Sequence, residues 1–233
     1  MMAKNFRRHD FRDRASLADA LATTVAGLLA AAVEERGAAT LAVSGGTTPG
    51  GFFDALSAKD VDWSNVTVLP VDERFVPESS ERSNARLIKT RLLRGAAGAA
   101  RFVPLFAPDV DAQAAASAAA DHIGRLGSPL DVVILGMGND GHTASFFPDA
   151  AELERLLNSN AEALVETVHA PSAGEERLTL TLPPIAGAGF IGLQIEGAEK
   201  ASTLDLALRP GSALPIRRVI EAASSPVEIF WAP

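Results

Sequence analysis

The sequence predicts an α/β fold: one domain over residues 1–233, with a mainly parallel sheet flanked by helices. Three observations predict it. Helical stretches alternate with short β-rich runs along the chain. DVVILGMG (131–138) is a continuous apolar run of the kind carried by a strand buried on both faces. Three of the four most polar, glycine-bearing segments directly follow predicted strands, where open α/β sheets bind their ligands.

The elements follow in order. A helix is expected from about Ser16 to Arg36, with Leu17, Leu21, Leu28 and Val33 set among alanines to pack on a sheet. Because 17–33 is nearly uncharged and follows Arg7, Arg8, Arg12 and Arg14, a signal peptide is the competing reading. Asp10, Asp13 and Asp19 interrupt it, and the run falls short of the ~20 residues that span a bilayer. Then come a strand at 40–44, a glycine-rich turn, and a helix from about Pro49 to Leu56 with proline suited to its first turn. A strand at 66–71 leads through a polar loop to a helix from about Ser83 to Leu93, and an alanine-rich helix runs from about Val110 to Leu126. After 131–138, the runs ALVETV, RLTLTL, GFIGLQI and VEIFWA read as strands, with a helix from about Ala198 to Leu208 before the last. The Ala/Gly clusters at 95–100 and 170–174 read as surface turns.

Composition narrows the function. With 233 residues, 47% of them hydrophobic and 21% charged, the chain can bury a full core. No cysteine is present, which excludes disulfides and thiolate metal ligands. A net charge of −8 argues against a general nucleic-acid binder, so positive charge for an anionic ligand must be local.

Four segments carry the chemistry. In LAVSGGTTPG (41–50), Ser44, Gly45, Gly46 and Thr47 form a tight turn before a helix, where backbone N–H groups can hold an anion; the alternative is a plain turn with Thr48 as helix cap. In VDERFVPESSERSN (71–84), Asp72, Glu73 and Arg74 follow a strand, and Ser83 or Asn84 opens the next helix. Arg74 offers a planar charged fork to a phosphate or carboxylate; otherwise the triplet is a solvated charge cluster. In DVVILGMGNDGHTASFFP (131–148), a buried strand runs out through Gly136 and Gly138 to Asp140 and His142, a histidine with a carboxylate two residues away. Arg177 and Lys200, in RLTLTLPPIAGAGFIGLQIEGAEKA (177–201), are candidate cations at the same sheet edge, although singly each could be an ordinary surface charge.

Other chemistry has little support. His9, His122 and His169 stand in undistinguished contexts, and no zinc spacing or Gly-x-Ser-x-Gly elbow occurs. Gly136-x-Gly138-x-x-Gly141 matches dinucleotide-binding spacing, but no acidic residue about twenty positions later closes a second strand.

Together, SGGTTP (44–49), VDERFVPESSERSN, GMGNDGHTASFFP (136–148), RLTLTLP (177–183) and EGAEKA (196–201) resemble the 6-phosphogluconolactonase family, in the right order and over most of the chain. The resemblance implies a Rossmann-like fold similar to glucosamine-6-phosphate deaminase and ribose-5-phosphate isomerase. It implies hydrolysis of 6-phospho-D-glucono-1,5-lactone in the oxidative pentose phosphate pathway, in the cytoplasm. His142 would activate water, Asp140 would orient His142 or stabilise its imidazolium form, and Arg74, Arg177 and Lys200 would supply charge. Ser44, Gly45, Gly46, Thr47 and Asp72 would line the pocket. No metal, cofactor, nucleic acid or membrane is implied; the oligomeric state stays open and is compatible with a monomer. Two alternatives stand beside it. Glucosamine-6-phosphate deaminase shares several of these segments but typically has Asp-Glu-Tyr where Arg74 follows Asp72-Glu73, and a glutamate where Phe147 stands. A non-catalytic sugar-phosphate sensor would carry a DNA-binding module, and no helix-turn-helix fits the leading residues.

Overall fold

The computed structural model describes residues 5–127 and 129–233. Strand β1 (Phe6–Asp10) lies at a sheet edge and leads to α1 (Arg14–Arg36). Asp13 caps α1, its carboxylate accepting from the Ser16 N–H at 2.7 Å. By length and composition alone α1, at 23 residues, is long and apolar enough to cross a bilayer. Its burial instead places it in the core. Leu17, Leu21, Val25 and Leu29 are fully enclosed, each contributing roughly 1.5–3 kcal/mol of apolar burial.

Next come β2 (Ala39–Val43), α2 (Gly50–Ser57), β3 (Val66–Pro70), β4 (Asp72–Arg74), α3 (Asn84–Arg91) and β5 (Arg101–Phe102). The middle of the chain gives α4 (Ala112–Gly124), β6 (Val132–Leu135), α5 (Leu153–Leu156) and β7 (Val165–Val168). It closes with β8 (Arg177–Leu180), α6 (Leu182–Ala186), β9 (Phe190–Glu196), α7 (Ala198–Ala207), α8 (Pro215–Ala222) and β10 (Val227–Ala232).

Seven strands form one sheet in the order β1-β10-β9-β6-β2-β3-β5, and every neighbouring pair is parallel. Alternate side chains feed two cores. Leu41, Val43, Val132 and Ile134 pack with α1 and α2, while Ala42, Val133 and Leu135 pack on the other face with α4, α6 and α8. A sheet covered on both faces needs uninterrupted apolar strands, which is why 131–138 reads as it does.

RLTLTL and ALVETV stand outside this sheet. With residues 72–74, which the sequence suggests as loop, they form a separate antiparallel sheet ordered β4-β8-β7. The register sets Arg74 opposite Arg177. The clusters at 95–100 and 170–174 are not simple surface turns either, because Ala97, Ala170 and Ala173 are buried in short helical turns or beside them.

From β2 the chain crosses the sheet one way through β3 to β5; from β6 it crosses the other way through β9 and β10. The reversal between β2 and β6 opens a crevice beyond their carboxyl ends, the standard ligand position in such sheets.

Candidate active site

That crevice is a cleft of about 330 Å³, suited to a small molecule. The turn 44–49, the loop 136–144, β4 with β8, and Lys200 of α7 form its walls.

His142 is held from behind. Asp140 Oδ1 lies 2.6 Å from the ring Nδ1 and accepts from the His142 backbone N–H at 3.1 Å. The turn is tied by Gly138 N–H donating to the His142 carbonyl at 2.9 Å. Gly138 leaves room for the ring, since a Cβ there would sit 2.3 Å from Cε1 and Nδ1. The Phe147 ring packs against the imidazole with centroids 4.4 Å apart. Burial pushes the Asp140 carboxyl up, but the hydrogen bonds and charge of His142 outweigh it and hold it below the usual carboxylate range. An ionised Asp140 on Nδ1 keeps the proton there and leaves the Nε2 lone pair free to accept one. Among the described residues no hydroxyl is hydrogen-bonded to the His142 ring, so the imidazole has no side-chain nucleophile to activate.

Three cations line the same cleft: Arg74, Arg177 and Lys200. Among the described residues none of them makes a salt bridge, whereas Arg82, Lys89 and Arg91 nearby are each paired with a carboxylate. Arg74 Nη1 donates to the Arg82 carbonyl at 2.5 Å and to Asn84 Oδ1 at 3.3 Å. Arg177 is 7% exposed, donates to the Ala173 carbonyl at 2.9 Å, and lies over the Phe147 ring at 5.6 Å. Burial lowers its proton affinity, opposed by Asp72. Lys200 Nζ donates to Thr48 Oγ1 at 3.1 Å, and burial likewise pulls its ammonium below the usual lysine value. A bound anion would relieve both penalties.

Thr48 therefore serves Lys200 and does not cap α2, whose cap position is Pro49 without a side-chain bond. Asp72 accepts from Ser145 Oγ at 2.7 Å and lines the cleft. Glu73 is fully buried and points elsewhere: it accepts from Arg74 N, Asn84 N, Ala85 N and Ser83 Oγ, at 2.9, 2.7, 2.7 and 3.1 Å. Its carboxylate binds β4 to the start of α3, and Ser83 completes the cap by accepting from Arg86 N. Gly45 must be glycine here, because a Cβ would meet the Asn84 side chain at 2.0 Å.

Ser44, Gly45, Gly46, Thr47, Asp72, Arg74, His142, Arg177 and Lys200 thus converge on one cleft, with Asp140 directly behind His142. Sequence reasoning missed Gln194, Ser145 and the lining role of Asn84. Gln194 had a readable signal, a polar residue inside an apolar strand; Ser145 had none. Five buried side-chain polar atoms lack a partner among the described residues, and four of them belong to cleft residues: Ser44 Oγ, Arg74 Nε, Arg177 Nε and Gln194 Oε1. Such groups are costly unless a ligand meets them. Among the described residues no cluster of three or more His, Asp or Glu side chains is arranged to hold a metal ion.

The family model for glucosamine-6-phosphate isomerases/6-phosphogluconolactonase matches residues 12–231. The chain is 57% identical to 6-phosphogluconolactonase of Mesorhizobium japonicum over 225 residues, 96% of this chain and 94% of that one. It is 49% identical to 6-phosphogluconolactonase of Rhizobium meliloti over 227 residues, 97% and 98% of the two chains. A crystal structure of a 6-phosphogluconolactonase from Shewanella baltica superimposes with a TM-score of 0.95 at 39% identity, covering all of both chains.

Proposed function

The chain belongs to the 6-phosphogluconolactonase family, and on that premise we propose that its function is hydrolysis of 6-phospho-D-glucono-1,5-lactone to 6-phospho-D-gluconate, with His142 as the base. It is an enzyme, a hydrolase of a cyclic ester in the oxidative pentose phosphate pathway. The observation that carries the mechanism is the Asp140–His142 pair beside three cations that have no carboxylate partner among the described residues.

A lactone carbonyl is already electrophilic, so catalysis needs a positioned water, one base and charge stabilisation. His142 Nε2 takes a proton from water as the water oxygen attacks C1. The carbonyl electrons move onto its oxygen, and a cleft cation or the N–H groups of the glycine-rich turn offset that charge. On collapse the bond from C1 to the ring oxygen breaks, and protonated His142 gives its proton to that oxygen. The released carboxylic acid ionises. No covalent enzyme intermediate is needed, in keeping with a histidine that has no serine partner. In sequence Phe147 stands where the deaminase motif has its relay glutamate, and its ring, packed on His142, cannot carry a proton, which favours hydrolysis over isomerisation.

We also read residues 1–233 as one domain acting on a small molecule in the cytoplasm, with no nucleic-acid or membrane partner; α1 spends its apolar face in the core. The test follows freshly generated lactone as NADPH formed by added 6-phosphogluconate dehydrogenase. Acceleration above the spontaneous rate is expected, and its absence with folded protein refutes the reading.

Arg74→Ala should raise KM for the phosphorylated lactone roughly 10- to 100-fold, the loss of one or two charge-assisted hydrogen bonds. An unphosphorylated lactone should be little affected. Equal losses on both substrates would move Arg74 from the phosphate to the reacting centre.

A further inference from the structure

Two of the unpartnered buried atoms in the cleft are neutral. They are Ser44 Oγ and Gln194 Oε1, on residues 9% and 2% exposed. Ser44 follows β2 and Gln194 lies on β9, with β6 between these strands: Val43 pairs with Ile134 and Leu193 with Leu135, so each residue comes directly after the last pairing of its strand with β6. Both residues line the cleft.

The orientation of Gln194 is set by its surroundings. Its Nε2 donates to the Thr48 carbonyl and to Glu196 Oε1, both at 3.3 Å. The reversed amide would press its oxygen against a carbonyl and a carboxylate, so Oε1 is the end left over. A buried amide oxygen accepts and cannot donate. A lactone carbonyl or a phosphate dianion has no proton to offer it; a sugar hydroxyl has. Ser44 Oγ can donate or accept, which suits a neighbouring hydroxyl.

We infer that Ser44 and Gln194 are specificity-determining residues that bind ring hydroxyls of the sugar lactone, separately from the cations and from the Asp140–His142 pair. The inference rests on the lactonase reading. A site built to bond a hydroxyl rejects an analogue that lacks it, because its own polar atoms stay unpaired.

The experiment compares 6-phosphogluconolactone with its 2-deoxy and 3-deoxy analogues, using wild type, Ser44→Ala and Gln194→Met. Wild type is expected to lose about 10- to 100-fold in kcat/KM on at least one analogue. Each variant should lose a comparable factor on the full lactone and little further on that analogue, so the discrimination collapses. A merely structural role would lower all three substrates together. Ser44→Ala should keep its melting temperature, since Oγ has no partner among the described residues to lose. Discrimination equal to wild type in both variants overturns the inference while leaving the lactonase reading intact. Absence of turnover by wild type on all three lactones overturns that reading, and this inference with it.

Discussion

His142→Asn is expected to lower kcat on 6-phosphogluconolactone by roughly 10²–10⁴-fold, the usual contribution of a positioned general base, with KM little changed. The side chain is small, polar and at the cleft surface, and Arg74, Arg177 and Lys200 make their hydrogen bonds to Arg82, Asn84, Ala173 and Thr48 instead of to it, so substrate capture should survive. Stopped assays against the spontaneous rate measure the drop. A variant that turns over like wild type would remove His142 from the mechanism. Two companions separate base strength from base position. Asp140→Asn keeps the ring but takes away the charge that fixes the Nδ1 proton; its loss should be smaller than that of His142→Asn, yet clear. Gly138→Ala keeps both residues and drives a methyl into the space of the ring, where a Cβ would lie 2.3 Å from Nδ1. If Gly138→Ala retained full activity, the ring position would not matter to the reaction.

These residues were legible because each follows a strand at the carboxyl edge of the sheet, and period and apolarity reveal the strands themselves. The pairing of Asp140 with His142 is local, two residues apart, and a sequence shows local geometry well. What was not legible depends on distant partners. Residues 72–74 look like loop because their strand is three residues long and defined by β8, more than a hundred positions away. The same register makes neighbours of Arg74 and Arg177, which sequence could only suggest. Strand β1 is polar and charged, as an edge strand can be, and pairs with the far end of the chain. Helix α8 carries a fair signal, proline at its first position with Ile216, Val219 and Ile220 on one face, yet is missing from the expected elements. Helix α6 carries almost none, five residues with two prolines. Glu73 is the clearest reversal: a charged triplet on paper hides a carboxylate with no exposure at all.

Removing that carboxylate should cost more stability than any other single change at the site. In Glu73→Ala three buried donors and the part-buried Arg74 N–H lose their acceptor, and at roughly 1–3 kcal/mol for an unsatisfied buried polar group the cost is about 3–5 kcal/mol. For a domain of this size the melting temperature should fall by on the order of 10 °C. Glu73→Gln tests the electrostatics more finely. Burial raises the Glu73 carboxyl above its ordinary value, opposed by the backbone N–H groups of Asn84, Ala85 and Arg74. A group whose folded pKa exceeds its unfolded one contributes stability that is complete below the unfolded value and is lost as pH rises through the folded one. Glutamine cannot titrate. The stability deficit of Glu73→Gln relative to wild type should therefore widen as pH falls through the window between the raised and the ordinary glutamate values. Denaturant melts of both proteins across that window give the sign. A deficit that narrows toward acid would mean that the N–H bonds outweigh burial, and that Glu73 is held as a fully stabilised anion. Either sign bears on function, because the same carboxylate joins the strand that carries Arg74 to the helix that begins with Asn84. Loss of that joint should show as a raised KM for the phosphorylated lactone in any Glu73 variant that still folds, with the His142 chemistry behind it intact.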